Sequence, residues 1–265
     1  MQLGSHTRPP AVAGMFYTGD PGALASEITT LLAEAHPQAA RPKALIVPHA
    51  GHIYSGPIAA QAYALLAPLH ATITRVVMFG PAHRVPVRGL ALPDVDDFAT
   101  PLGNVPLDRD AMRRAQALPQ VVVSNPAHAM EHSLEVQLPF LQNVLDDFSL
   151  VPFVVGDADS HAVAEVIELL WGGPETLIII SSDLSHFLPY AAAQQKDRAT
   201  VDNILHLTQL TDFEQACGAL PINGMIEAAQ RRGLKPALLD LRNSGDTAGD
   251  RSRVVGYAAF AFVEA

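Results

Sequence analysis

Runs of consecutive apolar residues recur along the chain at 43–48, 75–80, 121–124, 149–156, 176–181, 236–241 and 254–263. Their lengths, and the Pro, Gly or Ser residues that close several of them, predict strands buried on both faces. Between several of these runs the spacing becomes helical. The stretch 57–67 ("PIAAQAYALLA") predicts a helix that opens at Pro57. Leu134, Leu138, Leu141 and Leu145 recur at three- and four-residue spacing in 132–146, and 160–171 predicts a helix capped by Ser160. Strand and helix alternate. That order predicts an α/β fold with a central, largely parallel sheet covered by helices on both faces. No helical pattern separates 236–241 from 254–263, so these two runs are expected to pair as antiparallel neighbours and make the sheet mixed. The segment 84–108, rich in Pro and Gly, reads as a long loop with short strands. No linker or low-complexity tract divides the chain, which predicts one domain over 1–265.

Composition narrows the class. The 265 residues are 49% hydrophobic and 17% charged, as expected of a globular chain with a sizeable core. The net charge of −10 offers no basic field to a phosphate backbone, which argues against a nucleic-acid partner. No apolar stretch approaches the roughly 18 residues that span a bilayer, and "MQLGSHTRPP" lacks the apolar core of a signal peptide. The expectation is a soluble, cytoplasmic protein with no membrane partner. The single cysteine, Cys217, cannot form an internal disulfide, in keeping with a reducing compartment.

Chemistry concentrates where strands end. "ALIVPHAGH" leads to His49, "VVMFGPAH" to His83 and "LIIISSDLSH" to Asp183 and His186. In open α/β sheets the crevice beyond the carboxyl ends of the strands receives ligands, so parallel neighbours would turn these groups toward one cleft. Neutral imidazoles suit a metal, and a further histidine suits proton transfer. His6, His36, His70, His128, His161 and His206 lie in settings that read as surface or hydrogen-bonded core. His52 reads equally as a loop histidine. "EHSLE" sets His132 and Glu135 three apart on one face of a helix start, a spacing that serves metal or acid/base work, or simply an acidic first turn. Cys217 follows a helical stretch and precedes Gly218, where it is either a buried small hydrophobe or a functional thiol. The motifs of serine hydrolases, P-loop proteins, dinucleotide-binding folds and H-E-x-x-H metalloproteases are absent from the sequence.

Seven segments, in order and across nearly the whole chain, resemble the Memo family, whose bacterial members are called AmmeMemoRadiSam system protein B. They are "RPPAVAGMFY" (8–17), "PHAGHIYSG" (48–56), "GPAH" (80–83), "EHSLEVQLPFLQ" (131–142), "SSDLSHF" (181–187), "ACGALPI" (216–222) and "SGDTAGDRSRVVGYAAFAF" (244–262). The family resembles in fold the catalytic subunit of class III extradiol dioxygenases, which are non-haem iron enzymes. By motif, the resemblance implies metal ligands at His49, His83 and Cys217, and pocket residues at Asp183 and His186 with His132 close by. Those three are the expected catalytic group, His186 acting as acid/base and Asp183 orienting it. A thiolate beside two imidazoles suits iron(II), zinc or copper, where the dioxygenases use a carboxylate. The implied function is a metal-dependent, dioxygenase-like oxidoreductase, and the alternative is a non-catalytic module that receives a peptide or small ligand in the same pocket. The bacterial family name further implies a radical SAM and an AMMECR-like partner protein. The sequence does not assign a role to His52, Glu135 or Asp246.

Overall fold

The computed structural model describes residues 6–38 and 40–264. Strand β1 (Thr7–Arg8) is followed by helix α1 (Pro21–Ala33), which Asp20 caps through its side chain with proline at the first helical position. Next come β2 (Pro42–Val47), α2 (His52–Tyr63), β3 (Arg75–Pro81), β4 (Leu90–Leu92), β5 (Asp97–Thr100) and β6 (Gly103–Pro106). Helix α3 (Arg109–Ala115), strand β7 (Val121–Val123) and helices α4 (Asn125–Ala129) and α5 (Leu138–Val144) lead to β8 (Ser149–Val155), α6 (Ser160–Leu169) and β9 (Thr176–Ser181). The chain closes with β10 (His186–Leu188), α7 (Tyr190–Leu205), α8 (Ala219–Arg232), β11 (Lys235–Asn243), the single turn α9 (Ser244–Thr247) and β12 (Val254–Val263).

The main sheet runs β10-β12-β2-β9-β3-β8-β4-β7, with β11 on β12; β1, β5 and β6 form a small second sheet. β2, β9, β3 and β8 are parallel neighbours, and β12 pairs antiparallel with both β2 and β11. The sheet is therefore mixed, with a parallel centre. Every residue of β2 and β9 is buried, which requires cover on both faces. Helices α1, α2 and α5 pack on one another, as do α6 and α8. Ile46, Ile180, Phe79 and Phe153 lie in one row across the four central strands, so their carboxyl ends finish nearly level.

Several details differ from the pattern in the sequence. Helix α2 begins at His52, and Pro57 sits inside it rather than at its start. The His52 N–H, one of the donors a helix start leaves free, is taken by Phe16 O at 2.7 Å, a tertiary contact that local spacing cannot reveal. The cap of α6 is Asp159, whose side chain accepts from Ala162 N, not Ser160. The 132–146 pattern resolves into a short 3-10 turn at Glu135–Gln137 followed by α5. Cys217 precedes a helix rather than following one: Gly218 is the N-cap of α8, which ends at Gly233 in the left-handed region (φ 69°).

At the amino edge, opposite the strand ends that carry the histidines, Lys43 is buried with its ammonium donating to Trp171 O (2.6 Å), Gly173 O (2.9 Å) and Thr176 O (2.8 Å). Three carbonyls satisfy its three donors. Burial pulls Lys43 down to about 8, yet this cage of acceptors suits only the charged form.

Candidate metal centre

On three adjacent parallel strands, a residue singled out in the sequence lies two positions past the last strand residue: His49 after β2, Asp183 after β9 and His83 after β3. His132 joins them from the segment before the 3-10 turn. It can do so because β3 carries glycine at position 80; a Cβ there would lie 2.6 Å from Ser133 Oγ. The ring centroids are 5.2 Å apart for His49–His83, 5.5 Å for His49–His132 and 4.7 Å for His83–His132. One nitrogen from each ring can be chosen so that all lie within 4.8 Å of one another, close enough to hold one metal ion. Cys217 Sγ stands 3.3 Å from His49 Nε2. Its position is set by two backbone bonds, Cys217 N to Asp183 O (3.2 Å) and Gly218 N to Ser182 Oγ (2.9 Å).

Supporting groups hold these side chains. His49 Nδ1 is 2.9 Å from Ser181 Oγ, and its backbone N–H donates to Asp183 Oδ1 at 2.7 Å. The buried Glu131 carboxylate accepts from His83 N (2.7 Å), His132 N (2.9 Å) and Ser133 N (2.9 Å), and lies 2.9 Å from His83 Nδ1. His132 Nδ1 is 3.3 Å from the same carboxylate but lacks hydrogen-bond geometry, and it makes no hydrogen bond among the described residues.

The electrostatics follow from burial. Desolvation, then the neighbouring His83, pushes His49 down to about 3; desolvation, then His49, pushes His132 down to about 4. Burial raises Glu131, but the bonds from His83 and Ser133 outweigh it and hold the carboxyl at about 2. Burial and then Asp183 push the Cys217 thiol up to about 12. Asp183 is itself raised by burial, against the opposing pull of His186 and the His49 N–H. At neutral pH His49 and His132 are neutral and Glu131 is ionised.

Of the residues singled out in the sequence, His49, His83, His132, Cys217 and Asp183 lie together. His186 is on β10, exposed, with Nδ1 2.8 Å from Leu184 O. The bond that orients it is to that carbonyl, while the Asp183 carboxylate serves the His49 N–H. Glu135 faces away from His132: it accepts from Arg8 Nη1 (2.8 Å), Ala11 N (2.7 Å), Val12 N (2.9 Å) and Tyr17 Oη (2.7 Å), anchoring the 8–17 segment. That segment presents the Phe16 ring to His132 at 4.7 Å. His52 lies buried in the first turn of α2, its Nε2 bonded to Val136 O. Asp246 closes a capping box on α9 and accepts from Tyr190 Oη. Glu131, Ser181 and Gln137 were not singled out; only Glu131's place beside His132 hinted at a role.

Large apolar side chains stand exposed on the segments that lead into the centre. Met15 adjoins Phe16, Ile53 and Tyr54 follow His52, Met130 precedes Glu131 and Phe187 follows His186. Phe187 has φ 59°, a region that strains a bulky residue, and its ring is still exposed.

The sequence profile of the Memo-like proteins matches residues 8–261, and the chain belongs to that family. A MEMO1 family protein of Ignicoccus hospitalis is 37% identical, with 96% of this chain and 98% of that protein aligned. One from Aquifex aeolicus is 35% identical over 97% and 99%, and one from Sulfolobus acidocaldarius 34% over 96% and 99%. Among solved structures, an uncharacterized protein of Escherichia coli K12 shares the fold with a TM-score of 0.51 at 14% identity, over 82% of this chain and 99% of that one. Among the described residues, no helix is long and apolar enough to cross a membrane.

Proposed function

We propose that this protein is a metal-dependent oxidoreductase of dioxygenase type, with iron(II) held by His49, His83 and Cys217. The observation that carries the reading is the convergence of three imidazoles with the Cys217 thiol against His49 Nε2. The donor set fits a metal: His49 and His132 are neutral at physiological pH, and nitrogen with sulfur suits iron(II), with zinc and copper next. The metal, when bound, supplies Lewis-acid and redox chemistry. The protein's own residues supply the rest. His186 donates Nδ1–H to Leu184 O, so its Nε2 offers a lone pair for proton abstraction from an exposed position. His132, with Nδ1 unpartnered, is a second proton acceptor. The exposed apolar side chains at Met15, Tyr54, Met130 and Phe187 favour a ligand with an apolar or aromatic group.

That apolar rim also favours a second reading, a module that binds a peptide or small ligand without turnover. Metal analysis of anaerobically purified protein separates the two. The first reading expects about one iron per chain, lost in His49→Ala. A wild-type protein that binds no metal under anaerobic reconstitution would refute it and leave the binding module.

A further inference from the structure

A hydrogen-bond chain of fixed polarity runs from the protein core to His49, and a separate carboxylate serves His83. The chain can be read by counting donors and acceptors. Pro48 O and Ser133 O are carbonyls and only accept. Gln137 Nε2 lies 2.9 Å from Pro48 O, so the amide NH₂ must face that way, and its second hydrogen points to Ser181 Oγ at 2.9 Å. Gln137 Oε1 is thereby turned to Tyr63 Oη, which donates to it at 2.8 Å. Ser181 has one hydroxyl hydrogen, and Ser133 O takes it at 2.5 Å. Ser181 Oγ is left with lone pairs only. His49 Nδ1, 2.9 Å away, must therefore carry the hydrogen of that bond.

The same reasoning applies to His83. Both Glu131 oxygens already accept from backbone N–H groups, so the carboxylate is the acceptor towards His83 Nδ1 as well, and that nitrogen carries its hydrogen. In both rings the lone pair is forced onto Nε2. His132 Nδ1 lies 3.3 Å from the same carboxylate without hydrogen-bond geometry, so its tautomer is held less directly.

We infer that Ser181, oriented by Gln137 and Tyr63, and Glu131 are positioning residues that lock His49 and His83 in the Nδ1–H form before any metal arrives. The inference rests on the metal reading for its purpose but not for its test. The residues of the lock are deeply placed: Ser181 is fully buried, Gln137 is 1% exposed, and Tyr63 is buried with its ring stacked on Phe140 at 4.9 Å. A buried polar chain in which every hydrogen is committed is rigid, since reversing one link strands a donor or acceptor. The two locks differ in kind. A neutral hydroxyl backs His49, and an anionic carboxylate backs His83 and makes it the more electron-rich donor.

Histidine-selective ¹⁵N NMR on the metal-free protein at pH 7 reads the tautomers directly. His49 and His83 should each show a protonated Nδ1 and an unprotonated Nε2. Finding His49 predominantly as the Nε2–H form would overturn the assignment without any variant being made. In Ser181→Ala the His49 signal should shift toward the Nε2–H form, which can then donate to Cys217, and zinc(II) affinity should fall by roughly 10- to 100-fold. Ser181→Thr, which keeps the hydroxyl, should restore both. Zinc affinity and a His49 spectrum unchanged in Ser181→Ala would show that the hydroxyl positions nothing. A wild-type protein that binds no zinc or iron would sink the metal reading alone, with the NMR result still deciding the tautomers.

Discussion

Replacing Glu135 by Gln tests how the amino-terminal segment is held against the centre. The carboxylate is fully buried, and each oxygen accepts twice: Oε1 from Val12 N and Tyr17 Oη, Oε2 from Arg8 Nη1 and Ala11 N. Glutamine can accept on only one side. Its NH₂ would face two donors on the other, and Arg8, 4% exposed, would lose its counter-charge while keeping its bonds to His128 O and Glu131 O. Removing one partner of a buried, hydrogen-bonded ion pair costs about 3–5 kcal/mol. At roughly 2–4 °C per kcal/mol for a domain of this general size, the midpoint of thermal unfolding should fall by about 6–20 °C. Calorimetry at pH 7 measures this. A Glu135→Gln protein that melts within about 2 °C of the parent would mean a cost below roughly 1 kcal/mol, and the buried pair would not be what fastens residues 8–17.

Three further outcomes are expected. His49→Ala and His83→Ala should each lose metal by far more than the roughly 10- to 100-fold of an outer-shell change, whereas His186→Ala should retain it with any turnover down by roughly 100- to 10,000-fold; equilibrium dialysis showing equal metal loss in all three would end that division of roles. With the Cys217 thiol pushed up to about 12, alkylation of the metal-free protein should be slow at neutral pH and quicken as pH rises, and bound metal should block it; equal rates with and without metal would remove Cys217 from the ligand set. Burial pushes His128 down to about 4 against the pull of Ala91 O, so between the unfolded value near 6.5 and about 4 the unfolded chain binds one more proton. Its contribution is intact above that window and lost as pH falls through it, at about 1.4 kcal/mol per pH unit; urea unfolding of His128→Asn should show a slope shallower by that amount, and an unchanged slope would refute the assignment.

The strands were legible because buried parallel strands are written as uninterrupted apolar runs, as in "LIIIS" of β9. Helices with little apolar contrast were not. In α7, "YAAAQQKDRATVDNIL", polar residues dominate, and packing against β11 and β12 rather than periodicity defines the element. Of the centre, the histidines at strand ends could be read because strand termination is a local signal. Ser181 and Gln137 could not, because a serine closing a strand and a glutamine in a 3-10 turn are ordinary residues until β2, β9 and residues 133–137 lie side by side. Glu135 misled for a related reason: three-residue spacing puts it near His132 only on a regular helix, and the chain at 132–134 is not one.

β2 sits between β12 and β9, and β9 between β2 and β3, so their amide hydrogens belong to the part of the fold that exchanges with solvent only when the whole protein opens. Lys43 ties the far end of β2 to three carbonyls. His49 is therefore mounted on the slowest-opening body in the molecule. Phe187 is carried instead by the short edge strand β10, which belongs to the faster-opening end of the same spectrum. The centre thus joins two clocks. A rearrangement that admits a ligand, on the microsecond-to-millisecond scale of loop motion, falls on β10 sooner than on the strand that carries His49.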